Sequence, residues 1–128
     1  MILLDTCVLF WIEQQPDRIS AATKQAIAAP VTPCFASSFS ALEIGLEVAR
    51  RLLRLPLDPG EWLREICSRR NISEIPVDFE IAGISALLPP VHKDPFDRIL
   101  IATAMKHSLT LVTPDQFILL YPNLKTLW

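Results

Sequence analysis

The sequence predicts an α/β domain built on a mainly parallel sheet with helices covering both faces. Short apolar runs of strand length alternate with longer stretches of helical period along almost the whole chain. The first run, Met1 to Leu4, is apolar at every position, as a strand buried on both faces requires. With 128 residues, 51% of them hydrophobic, the chain is one domain (1–128) able to bury a real core.

The elements follow in order. Met1 to Leu4 is a buried strand that ends at the polar pair Asp5-Thr6. Cys7 to Gln14 is a short helix, and Ser20 to Ala29 a second one, stopped by Pro30. Pro33 to Ser37 is the next strand. Ser40 to Leu53 has helical period, with Leu42, Leu46, Ala49 and Leu53 on one apolar stripe. Asp58 and Pro59 open a helix that runs to Arg70. Ile72 to Ile75 is a short strand and Asp78 to Leu87 a helix. Pro95 to His107 is a largely buried helix, Leu109 to Thr113 a strand, and Lys125 to Leu127 an added edge strand. Eleven prolines punctuate the loops, and there is no repeat or low-complexity stretch.

Composition excludes several classes. No apolar run approaches the roughly 18 residues of a membrane span. Met-Ile-Leu-Leu-Asp lacks a basic leader, which points to the cytoplasm. Cys7, Cys34 and Cys67 are spaced too widely for a zinc site and read as small buried hydrophobes. A net charge of −2 gives no general attraction to nucleic acid, so any RNA contact must rely on local cations. The high apolar content suggests that a partner covers some of the surface.

Ligands of a parallel α/β sheet bind at the carboxyl ends of its strands, and the acids gather there. Asp5 directly follows the first strand. Glu43 lies in the first turn of the helix after the second, and Asp115 comes just past Val112-Thr113 at the end of the fourth. Asp97 opens the most apolar helix, one turn after Asp94. Plainer roles also fit: Ser40-x-x-Glu43 has the form of a capping box, and Asp94-Pro95-Phe96-Asp97 that of a capped helix start. Asp58-Pro59-Gly60-Glu61 has the same form and no sign of chemistry. Asp5 resists such a reading, because a carboxylate abutting a buried strand is costly without a partner. Four carboxylates on one rim repel one another unless cations neutralise them. Oxygen-only ligands suit Mg²⁺ or Mn²⁺, which can activate water in phosphodiester cleavage.

Four segments in this order resemble the PIN-domain nucleases, and most closely the VapC-type toxins of bacterial toxin–antitoxin pairs. They are Leu3-Leu4-Asp5-Thr6-Cys7-Val8-Leu9-Phe10-Trp11, then Ser37-Ser38-Phe39-Ser40-Ala41-Leu42-Glu43-Ile44, then His92-Lys93-Asp94-Pro95-Phe96-Asp97-Arg98, and last Leu111-Val112-Thr113-Pro114-Asp115. The resemblance implies a three-layer α/β/α fold with a central, mostly parallel sheet of four or five strands. It implies that Asp5, Glu43, Asp97 and Asp115 are the catalytic, metal-binding acids, and that Asp94 is auxiliary. It makes Thr6, Ser40 and Thr113 the hydroxyls supporting those carboxylates or bound water. It further implies Mg²⁺- or Mn²⁺-dependent cleavage of single-stranded or loop RNA, a homodimer, and neutralisation by a cognate antitoxin, with operator DNA reached only through that antitoxin.

Among the cations, Arg50, Arg51 and Arg54 could hold RNA phosphates, or Arg50 and Arg51 could pair with Glu47. Arg98 and Lys93, which flank Asp97, are similar candidates. His92 and His107 read as bystanders, since neither has a second histidine at ligand spacing. Trp11, Trp62 and Trp128 read as packing or interface residues. A different class of function is a binding module whose acidic pocket docks a basic antitoxin tail for operator recognition; it predicts little RNA cleavage. A phosphoacceptor domain would need paired acids before the first helix, where Asp5 stands alone.

Overall fold

A computed structural model describes all 128 residues, Met1–Trp128. Five strands form one sheet: β1 (Ile2–Leu4), β2 (Cys34–Ser37), β3 (Ile72–Ile75), β4 (Thr110–Val112) and β5 (Lys125–Leu127). Their order is β3-β2-β1-β4-β5, and every pairing is parallel. The helices are α1 (Thr6–Gln14), α2 (Ala21–Ala28), α3 (Phe39–Ala49), α4 (Pro59–Arg70), α5 (Phe79–Leu87) and α6 (Pro95–Lys106).

The alternation of side chains along each strand divides the core in two. Ile2, Leu4, Ala36, Ile72 and Val112 meet α1 and α4 on one face, with Val8, Leu9, Trp62 and Ile66 among the buried partners. Leu3, Ile75 and Leu111 meet α5 and α6 on the other, with Ile81, Leu100, Ile101 and Ala104. The expected three-layer α/β/α arrangement is therefore the observed one. The chain winds outward from β1 to β3, then crosses back to add β4 on β1's free side. β1 and β4 thus flank the point where the winding reverses, and the crevice beyond their carboxyl ends is where such folds bind ligands.

Local chemistry explains the helix starts. Side chains of Asp5, Ser20, Asp58, Asp78 and Asp94 each accept a backbone N–H in the first turn that follows. Asn71, in the left-handed region at φ 54, ends α4 and turns the chain directly into β3.

Helix α3 departs from the expectation. It begins at Phe39 and stops at Ala49, with Arg51 at φ 60, so Leu53 and Arg54 lie beyond it. Ser40 is buried and makes no capping box. The stripe of Leu42, Leu46 and Ala49 is exposed, and the buried residues are Ser40 and Ile44, with Ala41 and Val48 packed on the core. Two apolar stripes run along this helix, and the one bearing small residues and a serine fits against the rim. Two short 3-10 turns, Pro16–Arg18 and Ile118–Leu120, were not anticipated from the pattern. No helix is long and apolar enough to cross a membrane. Cys34 is buried, while Cys7 and Cys67 are partly so, and all three thiols are free.

Candidate active site

Asp5 ends β1 and begins α1, and its backbone N–H still donates to Val112 O (3.0 Å), extending the parallel ladder by one rung. The residue is only 6% exposed. Its Oδ1 accepts the Cys7 N–H (3.2 Å), and its Oδ2 accepts the Thr113 hydroxyl from the end of β4. Thr113 Oγ1 in turn accepts the Asp115 N–H (3.1 Å). One threonine therefore ties the first and fourth strand ends, and their two acids, together. Burial pushes the Asp5 carboxyl above its usual range, the bonds from Thr113 and Cys7 counteract it, and Asp115 adds repulsion. Burial and the nearby Asp5 carboxylate also push the Cys7 thiol far up, so it is no thiolate at neutral pH.

Glu43 reaches this rim from α3. Burial raises its carboxyl to about 7, the Thr6 hydroxyl works against the rise, and Asp5, Asp94 and Glu47 add to it. Thr6 Oγ1 also contacts Ser40 Oγ at 2.9 Å, joining α1 to α3 beneath the site. Asp97 arrives from the first turn of α6. Burial and then the charge of Asp5 raise it to about 7, with His92 opposing and Asp94 and Glu43 assisting. Asp115 behaves oppositely. Burial raises it, but hydrogen bonds from His92 and from the Phe117 N–H (2.7 Å) outweigh that and hold it below the ordinary carboxylate range. Asp94 caps α6 by accepting the Phe96 N–H (2.9 Å) and is exposed.

The four acids thus converge from β1, α3, α6 and the end of β4: Asp115 raises Asp5, Asp5 raises Glu43 and Asp97, and Glu43 adds to the rise at Asp97. One buried and three half-buried carboxyls, two of them pushed up to about 7, are what a divalent cation would relieve. Asp97, Asp115 and His92 offer ligand atoms within 4.8 Å of one another, and the carboxylate oxygens suit Mg²⁺ or Mn²⁺.

Several side chains behave differently from the sequence expectation. His92 is no bystander: its Nε2 lies 3.1 Å from Asp97 Oδ2 and 3.0 Å from Asp115 Oδ2, at the centre of the site. A lone histidine gives no spacing signal, and the faint clue is its place in the loop that leads into α6, five residues before Asp97. Arg98 does not face the acids. Its Nε donates to Ser85 O (3.1 Å), Nη1 to Pro89 O (3.0 Å) and His92 O (3.1 Å), and Nη2 to Leu88 O (2.8 Å) and Ala86 O (3.4 Å). All five guanidinium N–H groups are thereby spent on the end of α5 and the loop after it. Arg50, Arg51 and Arg54 are exposed and pair with no acid, Glu47 included. A groove of about 240 Å³ runs off the rim between α1 and α3, lined by Thr6, Phe10, Trp11, Arg18, Glu43 and Glu47. Trp11 packs edge-on against Trp128 at 5.8 Å and carries the Arg18 guanidinium on its face at 3.9 Å, while Trp62 is buried against Phe10.

Residues 2–118 match the PIN domain. Ribonuclease VapC22 of Mycobacterium tuberculosis (strain ATCC 25618 / H37Rv) is 28% identical over 116 residues, spanning 90% of this chain and 87% of that one. Among solved structures, VapBC2 from Rickettsia felis bound to a DNA fragment from its promoter contains a chain that superposes with a TM-score of 0.69 at 15% identity, covering 99% and 98% of the two chains. FitAcB from Neisseria gonorrhoeae gives 0.67 at 22% identity, covering 100% and 97%.

Proposed function

The chain belongs to the PIN domain family, and from that premise we propose that it is a cation-dependent endoribonuclease acting as the toxin of a toxin–antitoxin pair. The observation that carries this reading is the convergence of Asp5, Glu43, Asp97 and Asp115 at the β1/β4 switch point, with Asp5 buried and tied by Thr113 to Asp115's loop. The similarity to Ribonuclease VapC22 supports RNA as the substrate.

In this proposal Asp5, Asp97 and Asp115 supply the oxygens for Mg²⁺ or Mn²⁺, and Glu43 contributes directly or through water. A bound divalent cation supplies Lewis acidity and lowers the pKa of water at the scissile phosphate. The protein's part is to orient. Thr113 holds Asp5, the Phe117 N–H holds Asp115, and Thr6 with Ser40 fixes the floor beside Glu43. Arg50 and Arg54, both exposed, would hold flanking phosphates of a single-stranded or loop RNA. Arg98 is withdrawn from that role.

Exposed Leu42, Leu46, Phe117, Leu119 and Leu120 supply apolar surface for a homodimer contact and for the cognate antitoxin. Operator DNA is reached through that antitoxin, and the pair works in the cytoplasm. The neighbouring complex on promoter DNA also favours a second reading, in which docking and operator recognition are the whole function.

Cleavage of a mixed pool of structured RNAs separates the two. Purified, antitoxin-free protein should cut with Mg²⁺ or Mn²⁺, and cutting should vanish in EDTA and in Asp5→Asn. Folded protein that cuts nothing with either ion would turn the assignment to the binding module.

A further inference from the structure

We propose that His92 is a positioning residue of the cation site: its imidazole holds Asp97 and Asp115 convergent without itself becoming a ligand. The inference rests on the nuclease reading for the presence of a cation, but its argument is the wiring of one ring. Nε2 sits between Asp97 Oδ2 (3.1 Å) and Asp115 Oδ2 (3.0 Å). Nδ1 lies 3.1 Å from the Asp94 backbone nitrogen, whose N–H can only donate. Nδ1 therefore carries the lone pair and the ring proton is on Nε2, hydrogen-bonded to Asp115 Oδ2 with Asp97 Oδ2 close beside it. A histidine that binds a metal through Nε2 is wired the other way, with Nδ1–H donating to an outer carbonyl or carboxylate. The Asp94 amide opposes that tautomer.

The ring is held from several sides. The His92 N–H donates to Tyr121 Oη (2.9 Å), and its carbonyl accepts from Arg98 Nη1 (3.1 Å). Phe117 meets the imidazole edge-on, with centroids 6.2 Å apart. Tyr121 and Arg98 also bind the Pro89 carbonyl, so the whole turn into α6 is pinned.

The two carboxylates depend on His92 unequally. Asp115 has a second donor in the Phe117 N–H (2.7 Å). Asp97 has no side-chain hydrogen bond, and His92 Nε2, bonded to Asp115, is the one side-chain nitrogen within ion-pair distance of it. Without the imidazole, Asp97 loses its hold while Asp115 keeps one.

The test is cation binding by the full chain, followed by loss of the free Mn²⁺ paramagnetic resonance signal and by Mg²⁺ competition. His92→Ala should weaken Mn²⁺ and Mg²⁺ binding by the same factor, about 10- to 100-fold, the usual cost of losing an outer partner of a metal site. His92→Gln, whose amide N–H₂ can still donate, should recover most of it. Nitrogen-15 spectra of the unsubstituted protein should show Nδ1 unprotonated before and after Mg²⁺ is added, a readout that stands even if His92→Ala fails to fold. Three results would overturn the inference: unchanged or tighter binding in His92→Ala, a selective loss of Mn²⁺ over Mg²⁺ marking a nitrogen ligand, or a proton that moves to Nδ1 on metal addition. If the unsubstituted protein binds and cleaves while His92→Ala is indistinguishable from it, this inference alone falls. If the unsubstituted protein binds neither ion, the nuclease reading falls and this inference with it.

Discussion

Asp97 and Arg98 are consecutive in α6 and serve opposite tasks: the carboxylate lies 3.1 Å from His92 Nε2, while the guanidinium lies 2.8 Å from the Leu88 carbonyl. The helix thus separates a charge facing the candidate site from one spent on backbone carbonyls within a single step of the chain.

Arg98 should accordingly behave as a folding residue. Arg98→Lys offers three donors on one nitrogen where a planar fork served five carbonyls. We expect a loss of about 1–3 kcal/mol, the range for backbone acceptors left unpaired, measured by urea denaturation. The salt dependence of RNA binding should be unchanged; a slope that falls by about 1 would instead mark Arg98 as a phosphate contact.

Removing charge at Asp5 should separate activity from stability. Asn at this position can still accept the Cys7 N–H and cap α1, and it no longer buries a carboxylate. Asp5→Asn should therefore fold at least as well as the parent by thermal denaturation. Its cation-dependent cleavage should drop by more than the roughly 10- to 100-fold that outer partners of a metal site are worth, the range expected for Thr113→Val. Equal cleavage rates in parent and Asp5→Asn would remove Asp5 from the site.

The metal-free protein should lose stability as pH rises. Burial and neighbouring charge put Asp97 and Glu43 at about 7 in the fold, above the values of about 4 they take in an unfolded chain. Between those values the native state holds protons that the unfolded state has released, so unfolding free energy falls across that window. Denaturation midpoints in EDTA should decline from about pH 4 to 7. Asp97→Asn or Glu43→Gln should flatten the decline, and Mn²⁺ should reverse it. A flat profile in the parent protein would contradict the crowding of these carboxyls.

Arg50 closes α3, seven residues and about 10 Å along the helix from Glu43. That separation suits a phosphate beside the scissile one. Arg50→Ala should weaken RNA binding and reduce its salt slope by about 1, with Mn²⁺ affinity unaltered. Titrations across a range of salt concentrations would decide it, and parallel lines for parent and variant would assign Arg50 to the surface alone.

What could be read in advance was whatever is local. The strand–helix alternation, the caps at Asp58 and Asp94, and the placement of Asp5 and Asp115 at strand ends depend on near neighbours in the chain, whereas Glu43 falls in the second turn of α3 rather than the first because the helix starts at Phe39. The errors came where distant contacts decide. Both faces of α3 carry apolar residues, and only its docking against Thr6 and the rim selects the face of Ser40 and Ile44 over that of Leu42 and Leu46. His92 has meaning only once its loop is folded back by Tyr121 and Arg98 against Asp115. Arg98 reads as a phosphate ligand in the sequence because the carbonyls that occupy it lie at the end of α5 and just beyond it, a segment that pattern alone does not place against α6.

The bond between Thr113 and Asp5 spans 108 residues. During synthesis Asp5 emerges early, and the hydroxyl that holds it, together with Asp115, is added only with the end of β4. A growing polypeptide therefore carries three of the acids without the fourth and without the strand that aligns the first. The acids of the β1/β4 crevice therefore meet only once β4 pairs with β1, so the candidate site is assembled by a strand made long after the one that carries its most buried carboxyl.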